Sequence, residues 1–239
     1  MIRELIFGRN AVREALRGRR EVLELWVSER AAESLDWLGE GPRPRFVKER
    51  ELTEAAESPD HQGVVAWAGP YPYADPWALA AEDTPLLACL DQVTDPRNLG
   101  AVIRSAAGAG ATGVIVPAHG SVQVTPAGCR SSAGMVEHLS VAVVPNLARY
   151  LAEIKRDDLW SYAATAEASQ TMWQADLTGG VALVFGAEGK GVRPLVRKTC
   201  DATVSIPLAA GVESLNVSVA AAVLLYEARR QRSVRPAPG

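Results

Sequence analysis

The sequence predicts an α/β protein with a parallel sheet in its C-terminal part and a smaller α/β domain ahead of it. Three observations carry this. From residue 86 onward, short apolar runs alternate with helical patterns, as in a mostly parallel sheet covered by helices. Prolines and turn formers concentrate in GPYPYADPW, residues 69–77, where a linker is expected. Ahead of that stretch, two further strand-like runs flank a helical one. The expected division is a domain at 1–70, a linker at 71–84 and a second domain at 85–239.

Each element has its own reason. From Phe7 to about Gly18 the pattern is helical, with Val12, Ala15 and Leu16 on one side and Arg9, Arg13 and Arg17 at four-residue steps on another. VLELWV (22–27) and VVAWA (64–68) read as strands, with a helix near Glu49–Glu57 between them. Beyond the linker the apolar runs are LLACL (86–90), GVIVP (113–117), VAVV (141–144), LWSYAA (159–164), VALVFG (181–186) and ATVSIP (202–207). Helical patterns lie at 97–109, 146–156 and 192–199, and a last one at about 215–231. Ligands of such folds sit beyond the carboxyl ends of the strands.

Composition narrows the function classes. The chain has 239 residues, 48% of them hydrophobic, yet no apolar run of about 18 residues, so no membrane span is expected. The start, MIRELIFGRN, is charged and lacks a signal core, which points to a cytoplasmic protein. Cys89, Cys129 and Cys200 are odd in number and scattered, as reduced thiols are. His61, His119 and His138 lack zinc-ligand spacing, and no metal is expected. A net charge of -3 does not advertise a nucleic-acid binder, but a local basic patch suffices for one.

GAGATG, residues 108–113, has the letters of a dinucleotide-binding loop. Its flanks are reversed, since the helical LGAVIRSAA precedes it and the strand GVIVP follows. These glycines are expected to end a helix and turn the chain into a strand.

Three other stretches carry chemistry. In VALVFGAEGKGV (181–192), a strand runs into Gly186, Gly189 and Gly191. It is not a P-loop, because position 184 is Val and Gly191 replaces the Ser or Thr. A plain strand-to-loop turn and a site are both open, and Glu188 among the glycines tips the balance toward a site. In DQVTDPRNLGAVIRSAAGAG (91–110), Asp95-Pro96 makes a turn and Asn98 is a candidate helix N-cap. Leu99, Val102, Ile103 and Ala106 form the core stripe, and Gly100 and Gly108 lie one turn either side of Arg104. Two helix glycines cost up to about 1 kcal/mol each relative to Ala. They either clear room around a guanidinium for a phosphate or serve helix packing. In SIPLAAGVESLNVSVAAAVLLYEARRQR (205–232), Ser214 and Asn216 precede an Ala-rich helix that either could cap.

NLGAVIRSA, FGAEGKGV and IPLAAGVESLNVSVAAAVLLYE, in that order, resemble the three motifs of the SpoU (TrmH-type) RNA 2′-O-methyltransferases of the SPOUT superfamily, over roughly residues 85–232. The N-terminal FGRNAVREAL and HQGVVAWAGPYPY are similar to the small L30e-like domain of bacterial 23S rRNA guanosine 2′-O-methyltransferases of RlmB type. Thiostrepton-resistance methyltransferases carry a comparable domain. The resemblance implies a C-terminal trefoil knot, a rare exception to ordinary topology. It implies S-adenosylmethionine (AdoMet) bound in the knot mostly by backbone groups, with contacts at Gly186, Ile206 and Leu215 and with Leu208 nearby. It also implies homodimerisation through the knot helices.

The family's polar set maps onto Asn98, Arg104, Glu188, Ser214 and Asn216. The reaction so implied is attack of a ribose 2′-oxygen on the AdoMet methyl group. Arg104 is the family's proton acceptor. Neutralising an arginine near pH 7 costs roughly 7–9 kcal/mol. A second role is therefore open to it, in which Arg104 stays charged, holds the substrate phosphate and stabilises the oxyanion. Ser214 and Asn216 would hold the ribose or its 2′-oxygen, while Glu188 orients neighbouring groups. RNA is the implied substrate because DNA lacks the 2′-hydroxyl. Arg9 and Arg13 on the first helix, with Arg97 and Arg130 near the site, are candidate phosphate contacts, each with a solvated surface role as its alternative. The leading expectation is a 23S rRNA or ribosome-precursor guanosine enzyme. The alternatives are a tRNA enzyme, an rRNA-adenosine resistance enzyme, and a non-catalytic ribosome-assembly factor.

Overall fold

A computed structural model describes residues 3–234. The chain forms two compact units. One runs up to Pro72 and includes Val124–His138; the other comprises Tyr73–Gln123 and the chain from Leu139 on.

The first unit is built on a four-stranded sheet of β1 (Glu4–Phe7), β2 (Val22–Val27), β3 (Arg45–Phe46) and β4 (Val64–Ala68), in the order β1-β4-β2-β3. Strand β4 is antiparallel to β1 and β2, and the short edge strand β3 is parallel to β2. The helices are α1 (Arg9–Arg17), α2 (Glu29–Ala32) and α3 (Glu49–Ala56). Leu52 and Ala56 of α3 pack against Phe7, Val47 and Val65. The expected first helix begins two residues late because ELIF pairs with β4 as a strand and Gly8, at φ 93, turns the chain into the helix. Arg20 is buried and its guanidinium is wholly engaged. Its Nε donates to Glu137 at 3.0 Å, one Nη donates to Glu4 at 2.9 Å, and the group lies 5.3 Å from the Tyr71 ring centre. Burial works to lower the Arg20 pKa, and the Glu137 carboxylate outweighs it, so the group is held above its ordinary value. This pair ties 124–138 into the first unit, whereas the sequence division had run 85–239 without interruption.

The second unit opens with α4 (Pro76–Ala80), inside the stretch expected to be linker. Asp75 caps it, and Pro76 accepts a hydrogen bond from the buried Tyr150 hydroxyl at 2.8 Å. Then follow β5 (Leu86–Asp91), α5 (Pro96–Ala109) and β6 (Gly113–Pro117). After α6 (Pro126–Ser131), which belongs to the first unit, come β7 (Ser140–Val144), α7 (Leu147–Glu153), β8 (Leu159–Ala164), β9 (Gln170–Thr171), β10 (Gly180–Gly186), α8 (Pro194–Thr199), β11 (Ala202–Ser205) and α9 (Val217–Val234). The seven strands order β7-β6-β5-β10-β8-β11-β9. Every neighbouring pair is parallel. All six residues of β5 and the first six of β10 are buried, which is why these strands read as unbroken apolar runs. Leu87, Cys89, Ile115, Ala182 and Val184 pack against Leu147, Tyr150 and Leu151 of α7 on one face.

Helix α5 starts at Pro96 with Asp95 as its N-cap, whose carboxylate accepts from the Arg97 N–H at 2.8 Å. Asn98 is thus inside the first turn and does not cap it, because Asp95-Pro96 already supplies cap and first helical residue. Leu99, Val102, Ile103 and Ala106 are buried as the periodicity requires. Gly110, in the left-handed region at φ 77, ends the helix with its N–H on Ala106 and Ala107, and β6 begins three residues later. GAGATG is therefore a helix end. A Cβ on Gly108 would lie 2.7 Å from the Tyr226 hydroxyl of α9, so that glycine makes room for a neighbouring helix and not for Arg104.

Candidate active site

The site lies in the second unit, where β5 and β10 end side by side with Asp91 opposite Gly186. Asp91 is fully buried, and Arg193 satisfies it three times. The Arg193 N–H and Nε donate at 2.8 Å each, and Nη2 is 2.7 Å away. This pins the segment after β10 to the tip of β5. Between the two anchors the chain makes a tight turn, closed by Gly191 N–H on the Ala187 carbonyl at 2.8 Å. Gly189 and Gly191 take the left-handed conformation at φ 74 and 66. Gly186 has a different reason to be glycine. A Cβ there would collide with the backbone of Gly191 and Val192.

The turn presents Glu188 to two amides. Asn98 Nδ2, from the first turn of α5, donates to Glu188 Oε1 at 3.0 Å. Asn216 Nδ2, from the residue before α9, donates to the same oxygen and, at 3.1 Å, to Asn98 Oδ1. Asn216 also caps α9, its Oδ1 accepting from the Ser218 N–H at 2.9 Å and hydroxyl at 2.6 Å. Three residues separated by 90 and 28 positions thus form one closed polar cluster. Neither amide titrates near neutrality, so the cluster's chemistry is orientation: it fixes Glu188 and leaves the second carboxylate oxygen without a partner among the described residues. A cavity of about 350 Å³ opens beside it, lined by Gln92, Thr94, Asn98, Gly120, Glu188 and Lys190 among others. Gln92 holds a left-handed backbone at φ 60, uncommon for a residue with a side chain.

Arg104 is exposed on α5, without a hydrogen bond or ion pair among the described residues. Ser214 is exposed and likewise unbonded. Ile206 and Leu215 are half-buried and Leu208 is exposed, at the start and end of an irregular segment leading to α9. None of Gly186, Ile206, Leu208 and Leu215 lines the cavity beside Glu188. Arg97 is exposed at the start of α5. Arg9 and Arg13 lie on α1 of the first unit, where Arg13 pairs with Glu14 at 2.8 Å. Arg130 lies on α6 of the first unit and pairs with Asp60 at 2.7 Å. Asp91, Gln92, Lys190 and Arg193 were not anticipated. An acidic residue directly ending the buried run LLACL was the available signal for the first.

Comparison with known proteins shows the family. The SpoU rRNA Methylase family matches residues 85–226, and the RNA 2′-O ribose methyltransferase substrate-binding family matches 5–74. A Pseudomonas putida protein named 23S rRNA (guanosine-2′-O-)-methyltransferase RlmB is 41% identical over 97% of this chain and 98% of its own length. The crystal structure of the SpoU methyltransferase AviRb from Streptomyces viridochromogenes, in complex with AdoMet, has a TM-score of 0.85 at 27% identity, covering 98% of this chain and 92% of that one. A structure concerned with 2-OH methylation of C/U34 on tRNA has a TM-score of 0.57 at 29% identity; it covers 99% of its own chain but 64% of this one. The chain belongs to the SpoU rRNA methylase family.

Proposed function

We infer that the chain methylates the ribose 2′-oxygen of a guanosine in 23S rRNA, using AdoMet. The observation that carries this is the Asn98–Glu188–Asn216 cluster. It assembles one residue from each of the three motifs at the carboxyl ends of β5 and β10. The relative of matching length in Pseudomonas putida supplies the substrate class. The tRNA-type neighbour leaves about a third of this chain unmatched, which favours an rRNA substrate.

The residues present suit AdoMet. Between Ile206 and Leu215 the only hydrogen bond among the described residues runs from Val212 N–H to the Ala209 carbonyl, at 3.1 Å. Free backbone groups there, flanked by the half-buried Ile206 and Leu215, fit a nucleoside with an apolar face and polar edges. Gly186, Ile206, Leu208 and Leu215 would hold it. When bound, AdoMet supplies a methyl group already activated by its sulfonium. The protein's own task is to orient the ribose oxygen and stabilise its charge. Arg104, exposed and without a partner among the described residues, would hold the substrate phosphate and the developing 2′-oxyanion with its planar fork. Ser214 would position the ribose, and Asn216, its amide fully used by Glu188, Asn98 and Ser218, would act on it through the Glu188 carboxylate that it holds. The knotted path of the C-terminal segment, pairing of two copies through α5 and α9 and a cytoplasmic setting belong to the same reading. Val219 and Tyr226 stand half-exposed on α9 in support of the pairing.

Purified protein, transcribed 23S rRNA and methyl-labelled AdoMet test it, with 2′-O-methyl positions mapped by primer extension at low nucleotide concentration. Label at one guanosine is expected. Label in tRNA alone would move the substrate class, and absence of both label and calorimetric AdoMet binding would overturn the enzyme.

A further inference from the structure

The first unit holds an open cavity of its own, about 640 Å³, walled by the start of α1, by α2 and α3, and by the turn 59–63. Its construction is specific. Gly63 takes φ 80, and a Cβ there would collide with Ala31, so only glycine lets α2 seat against the turn. His61 is buried and fully used. Its Nδ1 accepts the Gly63 N–H at 3.0 Å, and its Nε2 lies 3.0 Å from the Thr53 hydroxyl, which itself donates to the Glu49 carbonyl. Nε2 therefore carries the proton and donates to Thr53. His61 is a brace for the residue beside it, Gln62.

Gln62 is held at φ 55, a conformation that costs a residue with a side chain and that gathers at binding sites. Its Oε1 accepts from the Arg9 N–H at 2.9 Å, and its carbonyl accepts from Arg9 Nε at 3.2 Å. These bonds leave the Gln62 amide hydrogens and the terminal nitrogens of Arg9 without partners among the described residues. Arg30, across the cavity wall on α2, is exposed and equally unpaired. The one carboxylate in the wall, Glu49, accepts from the Ser28 hydroxyl at 2.7 Å and faces His61. The wall is thus rich in unused donors and carries two guanidinium groups against one carboxylate.

We propose that this cavity takes one unstacked nucleotide of an RNA strand, Arg9 and Arg30 gripping its phosphodiester and the Gln62 amide meeting a base or ribose acceptor. It rests on the reading of the chain as an RNA methyltransferase and adds to it where the first unit holds the substrate. Two arginines on separate elements suit a phosphate better than one flexible chain. An open cavity suits a base turned out of its stack.

The test uses the full chain and transcribed 23S rRNA in filter-binding titrations across a salt series. Arg30→Gln should weaken binding roughly three- to tenfold and lower the slope of log affinity against log salt by about 0.7–0.9, one phosphate contact. Arg50→Gln, an exposed arginine outside the cavity and paired with Glu54, should change neither. AdoMet affinity should be the same in all three proteins. Wild-type affinity and slope in Arg30→Gln, or an equal loss in Arg50→Gln, overturns the pocket. If the wild-type chain still methylates the RNA in that case, the enzymatic reading stands and the pocket alone falls. A wild-type chain that binds no RNA removes both.

Discussion

Glu188 is the residue on which the site turns, because two amides from distant parts of the chain converge on one of its oxygens. Glu188→Ala should lower the single-turnover methylation rate by about 10–100-fold, the scale of lost positioning. Its exposure should keep the stability change within about 0.5 kcal/mol. Arg104→Ala should nearly abolish transfer, and Arg104→Lys should be poor as well, since a point charge lacks the fork; calorimetric AdoMet affinity should stay within a few-fold in both. Near-wild-type turnover of the Lys variant would remove any special role for the guanidinium. Gly186 is a separate case. Because its Cβ would meet the backbone of Gly191 and Val192, Gly186→Ala should spread the turn and misplace Glu188, just as Gly186→Val would. The expected result is loss of AdoMet-induced thermal stabilisation with an unchanged far-ultraviolet spectrum. At this scale the sequence was legible through motifs. Asn98, Glu188 and Asn216 were singled out because the pattern matched, yet their mutual bonds are tertiary. So is the crossing of backbones at Gly186, where the sequence had left a plain turn and a ligand contact both open.

Among the elements, α5 shows how two glycines two residues apart differ. Gly110→Ala puts a side chain at φ 77 and should cost about 1 kcal/mol. Gly108→Ala gains up to about 1 kcal/mol of helix propensity, offset only by displacing the tip of an exposed Tyr226, so it should be near neutral. Thermal melts of the two variants, with AdoMet affinity unchanged in Gly110→Ala, check the pair. Helix α1 carries a pH dependence. Burial acts to raise the Glu14 pKa, but hydrogen bonds from Arg13 and from His138, at 2.8 and 2.7 Å, outweigh it and hold the carboxyl below its usual range. A lowered folded-state value means that Glu14 stabilises the fold above the ordinary glutamate range and that this is lost as pH falls through the lowered value. Urea midpoints should therefore fall more steeply on acidification for the wild type than for Glu14→Gln. The long apolar strands were legible because a strand buried on both faces leaves a run of apolar letters. β3 and β9, two residues each, and the short α2, α4 and α6 left no such trace, since short elements take their shape from neighbours. Gln170–Thr171 is a strand only because Val204 and Ser205 lie beside it.

For the whole molecule, the two-part division was legible in GPYPYADPW, where prolines interrupt both periodicities. The N-terminal stretch of the first unit ends within it, at Pro72. The return of 124–138 to the first unit was hidden, because a polar stretch between two parallel strands looks like any crossover. This changes how the parts should behave when separated. A fragment from Pro85 would lack Ala74, which bridges Ala142, and Pro76, which binds Tyr150. A fragment from Tyr73 keeps both and should bind AdoMet while methylating its RNA weakly. It should also be less stable than the second unit in the intact chain, because Cys129, Val136 and Glu137 lose the surroundings that bury them. Full activity of that fragment on natural RNA would deny the first unit a recognition role.

The pairing of Arg20 with Glu137 also sets a clock. The two are 117 positions apart. At about 5–20 residues per second of synthesis, Arg20 waits roughly 6–23 s for its partner. The unit that leaves the ribosome first is thus closed late, after β5, α5 and β6 of the other have emerged, and nascent chains arrested before residue 137 should show its N-terminal segment still open to protease.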